Sequence, residues 1–399
     1  MPTPIIMYHS VGIVDKDWAW NFLTCPHEVF EDQLRWLKKK GFGSLTLTRL
    51  YEDMSRGGQS GERLIALTFD DGYLDNWTFV YPLLKKYGFN GTFFISPEFV
   101  DPSESLRPTL EDVWAGRRKS DQLPKNGFMS WAELGAIAAD GRSEIQSHAL
   151  SHTWYPKGGR IIDFRHPGDG YIWMTWNSHA ARKPYLQKDD PRLIEWGAPV
   201  YEHGKSLEVR RYYPDPGLDR FLIDQVKDSW GEGFFRGDWR TVLFQKVKQY
   251  TTGHRLEERS ETEEEYEERI RHELRRSKEV IQEKLGTSVR LLCWPGGGIT
   301  ETALRIAKEE GYLASTYSSR EPRGLNPGDK RGTETARFRR MGASLYGNGQ
   351  TGKASKAVYL SGFLFILRLH LFQRKQPLAF WSRVILGICK KFHQFRSAI

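Results

Sequence analysis

The segment Arg63-Leu-Ile-Ala-Leu-Thr-Phe69 constrains this chain more than any other, because a largely apolar run stops without transition on Asp70-Asp71-Gly72. Apolar residues on consecutive positions belong to a strand buried on both faces, as in a parallel sheet covered by helices. Pro4–Ser10, Gly91–Ser96, Val289–Cys293 and Leu313–Tyr317 read the same way. Between them lie helical patterns over Phe30–Lys40, stopped by Gly41, and over Trp77–Tyr87 and Glu301–Glu310, while Leu45–Leu50 reads as a strand leading into another helix. This alternation predicts an α/β fold with a parallel sheet, open or closed into a barrel. Polar residues at the C-terminal ends of such strands face the mouth where chemistry is done.

Asp70 and Asp71 are therefore the first candidates. Adjacent carboxylates repel, and a metal on one leaves the other free as a base. The second cluster is His148-Ala-Leu-Ser-His152. A spacing of four predicts two imidazoles on one face of a helical turn, able to share a metal. With Asp71 they make a two-histidine, one-carboxylate set that leaves positions open for water and substrate. Such a set suits Zn(II), with Co, Ni, Fe or Mn as other candidates.

Two stretches interrupt the alternation: a polar excursion over 100–128, and a longer segment rich in Trp, Tyr, Gly, Pro and Arg. The expected division is a barrel from residues 1–154 and 255–350, an inserted cap over 155–254, and a tail over 353–399. The insert begins beside a metal ligand, so it is expected to shape the substrate site. Trp173, Trp176, Trp196, Trp230 and Trp239 would stack on sugar rings, and Arg side chains would meet a phosphate or carboxylate. A subdomain with its own small core is the other reading, and the two are compatible. The three cysteines, Cys25, Cys293 and Cys389, form neither a disulfide framework nor a metal-ligand spacing.

Charge divides the chain sharply. Residues 353–399 carry five Lys, four Arg and no acid, which is the whole net charge of +9. The remainder is neutral, so nothing points to nucleic acid. Arg383, Lys390, Lys391 and Gln394 fall on one stripe of a tail helix opened by Pro377, and Trp381, Val384, Ile385, Ile388, Phe392 and Phe395 fall opposite. That pattern predicts a helix lying in the interface of an anionic membrane. With no signal-peptide pattern at the start, the expectation is a peripheral or monotopic protein on the cytoplasmic face.

Thr68-Phe-Asp-Asp-Gly72 together with Ser147-His-Ala-Leu-Ser-His152 resembles the first two motifs of the polysaccharide deacetylases, the NodB-like group known as carbohydrate esterase family 4. The resemblance implies a distorted (β/α) barrel that hydrolyses an N-acyl group, acetyl or formyl, on an amino sugar. It implies Asp70 as general base, Asp71, His148 and His152 as metal ligands, and a backbone N–H after Asp71 helping to hold the oxyanion. Met7-Tyr8-His9-Ser10 resembles the opening of a permuted branch of the family, which makes His9 the acid that protonates the leaving amine. Trp294-Pro295-Gly296 stands where the family builds one wall of the sugar groove, and Tyr73 is a further substrate-binding candidate. Glycine occupies the usual aromatic position there, and the arginine that pairs with the base in some relatives is absent before it. An arginine of the insert, Arg339 or Arg340 is left to take that part. The tail adds an expectation of a polyprenyl-linked glycan precursor as substrate; a soluble or polymeric glycan, or a membrane scaffold with a weakened site, are the alternatives.

Overall fold

In the computed structural model the described residues are 3–16, 18, 20–57, 61, 63–186, 190–229, 231–317, 336–344, 358–373 and 377–397. They divide into two compact units, one of Met1–Leu150, Arg276–Trp294 and Gly311–Ile399, the other of Ser151–Arg275 and Pro295–Glu310. Residues 255–275 and 295–310 thus group with the insert and not with the barrel as expected, and the tail groups with the barrel.

The first unit is built on eight strands: β1 (Ile5–Tyr8), β2 (Leu64–Phe69), β3 (Thr92–Ile95), β4 (Glu144–Ser147), β5 (Leu291–Leu292), β6 (Ala314–Tyr317), β7 (Ala336–Arg339) and β8 (Met341–Gly342). Along the sheet they run β7-β6-β5-β4-β3-β2-β1-β8, with Gly43–Ser44 a ninth strand paired to β2. Every pairing in this sheet is parallel. The two ends of the ladder, β7 and β8, are separated along the chain by a single residue, Arg340. A sheet whose first and last strands are successive pieces of one segment must curl round to meet itself. It is therefore a nearly closed barrel with Arg340 at the seam.

The core follows from the sequence runs. Ile5, Ala66, Phe94, Leu291, Cys293, Ala314 and Phe338 pack inside the sheet with Leu45, Leu47 and Leu50 from below it. Outside, the helix His27–Lys39 buries Phe30, Leu34 and Leu37 at the spacing read from sequence. Leu45–Leu50 is not the expected strand: Thr46 caps a helix, Leu47–Ser55, by accepting from the Arg49 N–H.

The tail begins as part of this unit. Helix Gly362–Phe372 lies on His27–Lys39, its Gly362 N–H donating to Asp32 Oδ2 at 2.7 Å, and Gln33 Nε2 donating to Leu360 O at 2.6 Å. A Cβ at Gly362 would stand 2.3 Å from the Trp36 ring, so only glycine permits the approach. The last helix, Leu378–Ser397, turns Ala379, Ser382 and Leu386 inward. Trp381 and Ile388 face outward with Val384, being 59% and 62% exposed. No described helix is long and apolar enough to cross a membrane. Phe392, Gln394 and Phe395 of the expected stripes, with the tail residues 353–357, lie outside the described side chains.

The second unit is organised by an antiparallel ribbon, Trp154–Phe164 against Pro199–Lys205, broken by bulges. Helices Pro216–Asp228 and Trp239–Gly253 close a small core of Phe164, Leu218, Leu222, Val226 and Leu243. Trp173 and Trp176 are buried, and Trp196 and Trp239 pack against that core, so these four rings serve structure before any sugar. Trp230 lies outside the described residues. The arginines are likewise engaged: Arg165 pairs with Asp169 at 2.8 Å, and Arg211 lies over the rings of Tyr155 and Tyr213.

Candidate active site

Register brings the polar residues together. Tyr8 is level with Phe69, Ile95 with Ser147, and Leu292 with Ser147, so His9, Asp70, Ser96, His148 and Cys293 all follow directly on strand ends. At Asp71 the chain leaves β2 with φ 73°, and Gly72 continues it with φ 75°. Asp71, Ala149 and His152 are the non-glycine residues with positive φ among the described residues. L-residues visit that region at a cost and persist there where the surroundings over-determine them, as at functional sites. All three strained positions thus fall in the two motifs singled out from sequence.

His148 and His152 are not on a helical turn. They bracket an irregular loop after β4, pinned by the His148 N–H to Ile95 O at 2.8 Å, by Ser96 Oγ–H to His148 O at 2.9 Å, and by the Ala149 N–H to Ser147 Oγ at 3.1 Å. The left-handed residues inside that loop, not helical periodicity, bring the two imidazoles round. The division between the two units falls inside this loop, after Leu150. The ligand atoms of Asp71, His148 and His152 lie within 4.8 Å of one another.

The chemistry of this donor set fits a cation. His148 Nδ1 is 2.8 Å from the Cys293 carbonyl, which can only accept, so Nδ1 carries the proton. The neutral ring then points its Nε2 lone pair at Asp71 Oδ1, 3.1 Å away. Two lone pairs at that distance require positive charge between them, a proton or a metal ion. Burial works against an imidazolium at His148, but Cys293 and the Asp71 carboxylate outweigh it and raise the group above its ordinary value. The carbonyl also fixes the ring's tautomer and orientation, as partners of metal-bound histidines do.

Asp70 is governed differently. Arg340 Nη1 donates to Oδ1 at 2.6 Å and Nη2 to Oδ2 at 2.7 Å, a two-pronged pair with both side chains largely buried. The same guanidinium donates to Thr68 Oγ1 at 3.2 Å and to Cys293 Sγ at 3.0 Å. Burial alone would raise the Asp70 carboxyl, but the charge and hydrogen bonds of Arg340, with His9 and His148, hold it below its ordinary value. His9 Nε2 stands 3.9 Å from Asp70 Oδ2. Asp70, His148 and Cys293 form a second set of approaching ligand atoms, all buried, that cysteine spacing did not suggest.

The substrate-binding candidates differ in their exposure, Tyr73, Trp294 and Pro295 being buried and Gly296 exposed. Tyr73 is buried against Trp18, Trp20 and Phe128, and its hydroxyl bonds Asp71. Trp294 is buried, with its indole N–H lacking a partner. Pro295 opens a tight turn through Gly296 and Gly297. An added Cβ at Gly296 would meet Lys205 Cε at 3.0 Å, and the Lys205 ammonium donates to the Gly296 carbonyl. A lysine stem thus fills the space where the family's aromatic would project.

The chain belongs to the polysaccharide deacetylase family, whose pattern it matches over residues 57–183 and 246–315. Those residues include Asp70, Asp71, His148 and His152; His9 and Arg340 lie beyond them. It is similar to the polysaccharide deacetylase-like protein YxkH of Bacillus subtilis, 37% identical over 92 residues, or 23% of this chain and 31% of YxkH. It is also similar to the poly-beta-1,6-N-acetyl-D-glucosamine N-deacetylase of Escherichia coli, 24% identical over 149 residues, 37% of this chain and 20% of that one. The matches span less than a third of the length of either relative. Among solved structures, a de-N-acetylase from Aggregatibacter actinomycetemcomitans aligns at 16% identity and TM-score 0.48, covering 85% of this chain and 94% of the other. The BpsB deacetylase domain from Bordetella bronchiseptica aligns at 17% and 0.48, covering 85% and 95%.

Proposed function

We propose that this protein is a metal-dependent hydrolase that removes an N-acyl group from an amino sugar. The observation that carries the proposal is the convergence of Asp71, His148 and His152 beside a buried, arginine-paired Asp70. Asp71, His148 and His152 would hold the ion, Zn(II) by the chemistry of the donors. When bound, a divalent ion supplies Lewis acidity to an acyl carbonyl and acidity to water. Asp70, kept ionised by Arg340, takes the proton of the attacking water; the two-point grip leaves the carboxylate one orientation in which to do so. His9, on the neighbouring strand end, gives a proton to the departing amine. One proton is taken and one is given, so the site returns to its starting state after proton exchange with solvent.

The finer reading is that the substrate is a lipid-linked acetamido sugar met at a membrane surface. What supports it is the last helix, which presents Trp381, Val384 and Ile388 to solvent beside Arg383, Lys390 and Lys391 in an acid-free stretch. The test is metal analysis of the purified protein together with acetate release from N-acetylglucosamine oligomers and from a polyprenyl-linked acetamido sugar. Wild type should hold one divalent ion and favour the lipid-linked substrate. Asp71→Ala should lose the ion and lower turnover by about 10³-fold or more, since the ion's Lewis acidity and the acidity it gives to water go with it. Wild-type protein without stoichiometric metal would sink the metallohydrolase reading, and equal rates on both substrates would sink the lipid-linked one.

A further inference from the structure

The peptide that carries Asp70 and Asp71 continues to Asp75 and Asn76, and both are buried. Neither is a ligand or a base, and both turn back to the segment that follows β1. Asn76 Nδ2 donates to the His9 carbonyl at 2.9 Å and to Asp75 Oδ1 at 2.8 Å. Asp75 Oδ2 accepts from the Ser10 hydroxyl, and its carboxylate from the Val11 N–H. Ser10 Oγ is also 2.8 Å from Thr24 Oγ1. A Cβ at Gly12 would stand 2.9 Å from the Asp75 Cβ, so the His9–Gly12 strand end lies directly on this turn. Reversing the Asn76 amide would aim its oxygen at a carbonyl and a carboxylate, so its orientation is set.

We propose that Asp75 and Asn76 are a positioning pair that fixes the backbone of His9 so that its imidazole meets the leaving nitrogen, a proposal that rests on His9 being the acid. The carbonyl of His9 and the two residues after it are all held by the Asp70–Asn76 peptide. Acid and base are therefore set in register by one rigid turn, and a displacement of about 1 Å is enough to cost such a step up to 10²-fold.

The test uses leaving groups. An acetamide must have its amine protonated on departure, whereas an aryl acetate expels a stable phenolate and needs no acid. His9→Ala should slow hydrolysis of N-acetylglucosamine oligomers by about 10²-fold and leave 4-nitrophenyl acetate within about twofold. Asn76→Ala should show the same selectivity at about tenfold, with metal content and KM unchanged, and should add nothing in the His9→Ala background. Ser10→Ala, the milder lesion, should follow in the same sense and serves if Asn76→Ala does not fold. Slowing of both substrates alike by either variant, or an undiminished effect in the His9→Ala background, would overturn the positioning role. An unaffected acetamide rate in His9→Ala would instead overturn the acid assignment itself.

Discussion

At the strand ends of the first unit, Asp70 and His148 are buried and Arg340 nearly so, and each has partners for its charge or its ring nitrogens. On the helix Leu378–Ser397 of the same unit, Phe380, Trp381 and Ile388 lie in solvent instead. Proteins ordinarily put charge outside and large apolar side chains inside, so the informative places are where a chain does the reverse. Under the proposed function the strand ends bury charge because such chemistry needs fixed groups in a medium that does not screen them. The outer helix leaves apolar surface bare, and under the proposed function this is the face that meets lipid. One reversal is held by partners within the fold, and the other is open to solvent.

The contrast can be broken most severely at Arg340. Arg340→Met keeps the stem and removes the charge, leaving a buried carboxylate unpaired, which should destabilise the protein by about 3–5 kcal/mol. Denaturant unfolding measures this, and a loss under 1 kcal/mol would mean that Asp70 is not held as described. A lysine there should rescue the charge but not the two-point geometry.

Asp75 sharpens the same point on the same peptide. Its partners are hydroxyl, amide and backbone donors and not a cation, and burial pushes its carboxyl up to about 7 in spite of them. An acid raised above its unfolded value of 3.8 favours the folded state most below that value. Its contribution is lost as pH rises from about 4 to about 7, because the unfolded chain releases the proton first. Stability relative to Asp75→Asn should therefore fall across that window by up to about 3 kcal/mol, taking roughly 1.4 kcal/mol per pH unit and discounting for relaxation. A flat difference would mean the carboxylate is solvated after all.

The smallest effect is expected at the tail. Replacing Trp381 and Ile388 with Ser should lower binding to vesicles of anionic lipid by about tenfold or more, as burial of such side chains contributes roughly 1.5–3 kcal/mol each. Thermal stability should stay within about 0.5 kcal/mol, since both side chains are mostly exposed and Trp381 touches the ring of Phe380, itself exposed. If the double variant binds as well as wild type, the exposed face does not meet lipid.

What was legible in the sequence was whatever repeats or stands alone on a strand end. The runs ending at Tyr8, Phe69 and Ile95 are apolar but for Thr68 and Thr92 because both faces are covered, and Asp70-Asp71 breaks that pattern abruptly. His148 and His152 were legible as a pair, though for a geometric reason that does not hold, since positive φ at Ala149 and His152 replaces the helical turn. Arg340 could only be offered among other arginines, because nothing short of barrel closure places a residue 270 positions away on Asp70. For the tryptophans of the insert, composition left two compatible readings, ring stacking and a core of its own, and Trp173 and Trp176 are buried as the second requires. Asp75 and Asn76 were invisible because two polar residues at a helix start look like ordinary capping.

The single-residue joint at Arg340 has a consequence for the order in which the chain acquires its chemistry. β1 leaves the ribosome more than 300 residues ahead of β8, its partner on one side. Until then β1 has only β2 beside it, and Asp70 lacks its arginine. The last strand pairing is thus also the step that brings Arg340 to Asp70. A chain that lacks the seam lacks the arginine that pairs with Asp70, so under the proposed function it would lack a fixed base as well.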